Sequence, residues 1–252
     1  AEAYRMLRTR LQLAGFGEAT RVVLVTSMRP GEGKTTAVAN LAVALADLGA
    51  PALVVDAEIR KPGMHEIFAV QLAPGLTDLL HAAPEVAPAS DPAAPGPGAR
   101  AAEPAPAWRE ADPGASPPGF AASEDARRFE SVLQPTFVPN LSAVASGGTA
   151  AAGAYQTLSI EVDRMRRFLA SVRARFRYVV LDAPPLMLVH DVALMCSFVD
   201  GVVLVVDSRN LDPEMLADCK QALESAKANV LGVVLNQVEP VGVYKKNSYY
   251  TT

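Results

Sequence analysis

Residues 21–36, RVVLVTSMRPGEGKTT, set a β-branched apolar run, a glycine-rich turn and the start of a helical pattern in immediate succession. Val22 to Val25 have the character of a strand buried on both faces. Gly31 and Gly33 allow the turn to curl so that its N–H groups point inward, and the helical pattern then runs from Lys34 to about Leu48, ahead of Gly49. A strand, such a turn and a helix make a cradle for phosphate, because the curled amides and the positive end of the helix dipole face the same anion. Pro30, Gly31, Glu32, Gly33, Lys34, Thr35 and Thr36 are the expected phosphate-binding residues. Lys34 supplies a point charge for β- and γ-phosphates, and the Thr35 hydroxyl is a ligand for Mg²⁺. Met28 stands where the general pattern has its first glycine.

Working outward, ALVVD at 52–56 is a second buried strand, so residues 21–56 form one βαβ unit. Further runs of the same kind are YVVLD at 178–182, GVVLVVD at 201–207 and VLGVVLN at 230–236, with helical patterns at about 157–175, 190–198 and 212–227 between them. Residues 2–14 form one more helix, with Tyr4, Leu7 and Leu11 at helical spacing. Apolar strands alternating with helices specify an α/β fold: a doubly wound, mostly parallel sheet with helices on both faces.

In such sheets ligands sit beyond the carboxyl ends of the strands, and carboxylates stand there. VVDAE places Asp56 and Glu58 two apart, on one side of an extended chain, and VVLDAPP ends a strand at Asp182. Acidic strand tips beside a phosphate loop orient a metal and accept a proton from a nucleophile. Lys34, Asp56, Glu58 and Asp182 are the expected catalytic set, with Thr35, Asp56 and Asp182 toward Mg²⁺.

The 252 residues suffice for one substantial domain, and half of them are hydrophobic. A net charge of −4 gives no broad basic surface, so nucleic acid is not an expected partner. Cys196 and Cys219 are too few for a disulfide framework, and His65, His81 and His190 lack metal-ligand spacing, so no metal beyond Mg²⁺ is expected. No run approaches the roughly 20 apolar residues of a membrane helix. Between Pro84 and Pro118 lie ten of the chain's 20 prolines, with no apolar period. Residues from about 83 to about 134 therefore read as a disordered Pro/Ala-rich insertion in a single domain spanning 1–252, in which the apolar residues near Phe129 to Phe137 could add a short helix or strand, and about 240–252 as a tyrosine-containing tail.

The ordered set EAYRMLRTRL, SMRPGEGKTT, LVVDAEIRKPGMHEIF, PGLTDLL, YVVLDAPP, DGVVLVVD and GVVLNQ resembles the bacterial protein-tyrosine kinases of capsule and exopolysaccharide assembly, relatives of the partition and division-site ATPases. The resemblance covers most of the chain outside the insertion. It implies an ATP- and Mg²⁺-dependent autokinase in which Asp56 takes the proton of, or orients, the incoming tyrosine hydroxyl and Asn236 lies near the adenine. It also implies Tyr244, Tyr249 and Tyr250 as phosphorylation sites, and Glu2, Arg5 and Arg8, on one side of a helix, as an oligomer interface of a ring or dimer. The partner so implied is a membrane polysaccharide co-polymerase or activator, fused or separate, which puts the domain in the cytoplasm at the inner face of the plasma membrane. Arg29 occupies the place of a second lysine in the partition ATPases and reads by itself as a solvated loop charge. Several residues depart from the family pattern: Glu58 in place of an aspartate, GGTAAAGAYQTLSIEV at 147–162 in place of a proline-rich segment, and Arg177 in place of an acidic residue. An ATP-switched partition-type ATPase and a nucleotide-binding scaffold without kinase activity are the alternatives.

Overall fold

In the computed structural model, residues 2–18, 21–81, 124–148 and 162–238 are described. Their elements run α1 (Glu2–Leu13), β1 (Val22–Ser27), α2 (Lys34–Ala46), β2 (Ala52–Asp56), α3 (Met64–Phe68), α4 (Leu76–His81), α5 (Glu124–Val132), β3 (Gln134–Pro135), β4 (Leu141–Val144), α6 (Val162–Arg175), β5 (Tyr178–Asp182), α7 (His190–Cys196), β6 (Gly201–Asp207), α8 (Pro213–Ser225) and β7 (Val230–Asn236). The seven strands form one sheet in the order β3-β4-β2-β5-β1-β6-β7. Every pair is parallel except β3 with β4. This is the doubly wound architecture expected from the alternating strands and helices.

The interior strands divide their side chains between two cores, as the pleat requires. Val23, Val25, Val54, Ala143, Val180, Val203 and Val205 meet α1, α2 and α3 on one face. Val22, Leu24, Leu53, Val55, Val144, Val179, Leu181, Leu204 and Val206 meet α4 to α8 on the other. On the first face α1 lies on α2, with Leu11 buried and Phe16 edge-on to Tyr178 at 5.5 Å between ring centroids. β7 closes the sheet as an edge strand and leaves Val233 and Leu235 exposed.

The expected insertion at 83–134 is too long at its C-terminal end. Residues 82–123 lie outside the described residues, but 124–132 is a helix. Its Phe129 is 1 % exposed and packs edge-on to Phe168 of α6, and Val132 is buried with it. Three apolar residues in the stretch from Phe129 to Leu133 suffice to anchor a helix once α6 supplies the facing surface. Strand β4 was also absent from the expected set. LSAV is too short for a periodicity argument, yet it pairs with β2 over its whole length and is almost fully buried.

Candidate nucleotide site

The phosphate loop spans the gap between β1 and α2, as its sequence predicts. Gly33 is the N-cap of α2 at φ 80°, and Gly31 sits at φ 83°, both in the left-handed region that glycine enters without strain. Ser27 Oγ donates to the Arg29 carbonyl at 2.9 Å, Leu186 N–H to the Ser27 carbonyl at 2.8 Å, and Thr26 Oγ1 to the Pro184 carbonyl at 2.7 Å. The tips of β1 and β5 are thereby tied together beneath the loop.

Lys34 reaches across to Asp182, where its Nζ is ion-paired with Oδ1. The side chains are 7 % and 0 % exposed, so this charge pair is nearly dry. The other carboxylate oxygen of Asp182, Oδ2, is buried without a hydrogen-bond partner. Burial pushes the Asp182 carboxyl above the ordinary range, against the pull of Lys34 and of the Thr35 hydroxyl. A buried, unpartnered carboxylate oxygen beside a threonine hydroxyl is a hard-oxygen donor set, which fits Mg²⁺. Among the described residues no group of three or more His, Cys, Asp and Glu is assembled.

Asp56 and Asp182 are register partners on neighbouring strands and lie side by side at the sheet's carboxyl edge. Burial, and next the Asp182 charge, raise the Asp56 carboxyl to about 7. Three backbone donors work against that rise: the N–H of Glu58 at 3.0 Å to Oδ1, and those of Gly63 and Met64 at 3.1 Å to Oδ2. Asp56 thus also shapes the 60–63 loop, which passes close enough to the P-loop that a Cβ on Gly63 would stand 3.3 Å from the Thr35 methyl. Glu58 is 8 % exposed, and its Oε1 accepts the Arg60 N–H at 3.2 Å. The extended strand stops at Asp56, so the expectation that both carboxylates share one side by strand pleat does not hold. Each instead turns back onto the amide two residues on.

Asn236, expected near an adenine, braces the loop: its Nδ2 donates to the Glu32 carbonyl at 2.9 Å. Arg29, read as a solvated loop charge, has a side chain 40 % exposed and is also ion-paired with Asp212 at 2.6 Å. Asp212 is the N-cap of α8, accepting from Glu214 and Met215, with Pro213 in the first turn. A capping aspartate before a proline was visible in DPE at 212–214. Its pairing with a residue 183 positions away was not.

Glu2 and Arg5 are exposed and lie 3.7 Å apart, one helical turn from each other. Arg8 does not stand free beside them, because its Nη1 donates to the Ala44 carbonyl of α2 at 2.8 Å. Tyr244, Tyr249 and Tyr250 fall outside the described residues, which end at Val238 beyond β7. No helix among the described residues is long and apolar enough to cross a membrane.

A family model, the CobQ/CobB/MinD/ParA nucleotide binding domain, matches residues 23–249. Among curated proteins, the tyrosine-protein kinase YwqD of Bacillus subtilis is 27 % identical over 252 residues, spanning 100 % of this chain and 86 % of its own. The tyrosine-protein kinase CpsD of Streptococcus agalactiae is 26 % identical over 245 residues, 96 % of this chain and 86 % of that one. Among solved structures, the kinase domain of the Escherichia coli tyrosine kinase ETK superposes with a TM-score of 0.71 at 23 % identity, over 96 % of this chain and 77 % of its own, a likeness of fold.

Proposed function

The chain belongs to the CobQ/CobB/MinD/ParA nucleotide-binding family, and on that footing we propose that it is an ATP-dependent protein-tyrosine kinase that phosphorylates the tail tyrosines of neighbouring copies. The observation that carries this reading is the buried group of Lys34, Asp182 and Asp56 under the P-loop. Similarity over nearly all of this chain to proteins named tyrosine-protein kinases supports it. The setting follows the same resemblance: regulation of exopolysaccharide or capsule polymerisation and export, beside a membrane co-polymerase or activator at the inner face of the plasma membrane.

In the reaction the amides of Gly31, Gly33 and Lys34 hold the β-phosphate, and Lys34 exchanges the carboxylate of Asp182 for the β- and γ-phosphate oxygens. The Thr35 hydroxyl and Asp182 Oδ2, with Asp56 beside them, would hold Mg²⁺, which would supply neutralisation of phosphate charge. The tyrosine oxygen bonds to the γ-phosphorus as the bond from that phosphorus to the β–γ bridging oxygen breaks, ADP leaves, and the tyrosine proton passes to Asp56. Positioning and electrostatics make up most of the catalysis. Glu58, buried at the same edge, belongs to the catalytic set through the carboxylate it adds there.

Transfer in trans is consistent with the chain's reach. From Asn236 to Thr252 an extended tail spans at most roughly 55 Å, enough to enter an adjacent subunit. Glu2, Arg5 and Arg8 are the proposed contact, with Arg8 setting α1 against α2 and Glu2 and Arg5 facing outward. The test mixes a Lys34→Met chain bearing its own tail with an active chain whose Tyr244, Tyr249 and Tyr250 are replaced by Phe, in Mg·ATP. Phosphate on the Lys34→Met chain is the expected result. Phosphate on neither chain, with ATP still consumed, would turn the assignment toward a partition-type ATPase.

A further inference from the structure

Met28 is fully buried, with its side chain in the core beneath the sheet, at the position where a P-loop ordinarily has glycine. Its backbone N–H and that of Arg29 cannot be left without acceptors in such a place. Both are satisfied by one group: Glu32 Oε2 accepts from Met28 N at 2.7 Å and from Arg29 N at 2.9 Å. Glu32 is 5 % exposed, although it lies in the middle of a loop that must receive a polyanion. A carboxylate there would repel phosphate unless it were turned away and its charge spent on donors. The structure shows that charge spent on two backbone donors.

The same residue is held from its other end. Asn236, closing β7, donates from Nδ2 to the Glu32 carbonyl at 2.9 Å. The amide fills the slot beside Gly33 so closely that a Cβ there would stand 2.2 Å from Nδ2. Gly33 is therefore required by the brace as well as by its φ.

We infer that Glu32 is a positioning residue for nucleotide binding: its side chain closes the N-terminal arm of the P-loop around Met28 and Arg29, while Asn236 anchors its backbone from β7. The two arms of the loop are thus fastened through one residue. The amides of residues 28 and 29 point to Glu32, which leaves those from Gly31 onward to serve the phosphates. With its carboxylate engaged by these two amides, Glu32 acts through the loop. The inference rests on the nucleotide site and not on transfer to tyrosine.

The test measures the affinity of a fluorescent ADP analogue, which does not depend on phosphoryl transfer, together with KM for ATP and for a tail peptide where turnover is seen. Glu32→Ala is expected to weaken nucleotide binding about tenfold or more, in line with the cost of misplacing binding groups by an ångström, and to leave KM for the peptide unchanged. Glu32→Gln, whose single amide oxygen still accepts both N–H groups, is expected to stay within about threefold of wild type. Wild-type affinity in Glu32→Ala, or equal loss in Glu32→Ala and Glu32→Gln, overturns the inference. Should Glu32→Ala fail to fold, Glu32→Asp carries the test: it keeps the charge but is one methylene short of both amides, and wild-type affinity there also overturns it.

Discussion

Arg29, at the mouth of the P-loop, and Asp212, the N-cap of α8, are bonded at 2.6 Å, so one carboxylate both starts a helix and holds the loop's cation. The Asp212 carboxyl is held below the usual range, chiefly by the Met215 N–H of the cap and also by the Arg29 charge. Its contribution to stability is therefore present above the ordinary value of 3.8 and is lost as pH falls through the depressed value.

The two roles of Asp212 are separable by substitution. Asparagine caps as well as aspartate but does not neutralise a guanidinium. Asp212→Asn should keep the cap, lower the melting temperature only by the small contribution of the charge and, by releasing the Arg29 charge toward the phosphates, tighten nucleotide binding at low ionic strength. The gain should fade as salt is added. Arg29→Ala should do the reverse, since it leaves a bare carboxylate by the loop. Titrations of each variant at two salt concentrations check both directions.

Lys34→Met should abolish phosphoryl transfer, since Lys34 is the buried cation of the P-loop that neutralises charge on the β- and γ-phosphates. It should also destabilise the nucleotide-free protein at neutral pH by about 3 kcal/mol, because removing one partner leaves the buried Asp182 charge uncompensated. Lys34→Met combined with Asp182→Asn should recover most of that loss without recovering activity. Thermal melts of both variants beside a phosphorylation assay decide it.

Glu58 accepts the Arg60 amide with a side chain one methylene longer than aspartate. Shortening it withdraws the carboxylate by roughly 1.5 Å, and misplacements of that order cost up to about 100-fold in rate. Glu58→Asp should accordingly lower kcat while leaving nucleotide affinity close to wild type. A higher kcat would mean that the shorter carboxylate suits this site better, and an unchanged rate would remove Glu58 from the catalytic set.

Deleting residues 83–122 and bridging α4 to α5 with a short flexible linker should preserve both melting temperature and nucleotide affinity. Extending the deletion through residue 134 should not, because it removes Phe129 and Val132 from the core. Phe129→Ala alone should cost about 3–5 kcal/mol, the usual range for emptying a buried aromatic site. Chemical denaturation of the three variants measures these differences.

What the sequence by itself determined is whatever local chemistry controls. RVVLVTSMRPGEGKTT specified strand, phosphate loop and helix, because turn geometry, helix start and strand burial are decided within a few residues. The acidic strand ends at Asp56 and Asp182 were legible for the same reason, and so was the layered α/β fold. The short strand β4 was not, and near Phe129 the apolar residues allowed a helix or a strand without deciding between them, since both stretches have too few residues to show a period and are covered by β2 and α6. Tertiary structure alone decided how the site is held. Lys34 meets Asp182 across 148 positions, Arg29 meets Asp212 across 183, and Asn236 meets Glu32 across 204. No periodicity encodes such pairs, because the parallel sheet brings the ends of β1, β5, β6 and β7 to one edge only after its strands are in order.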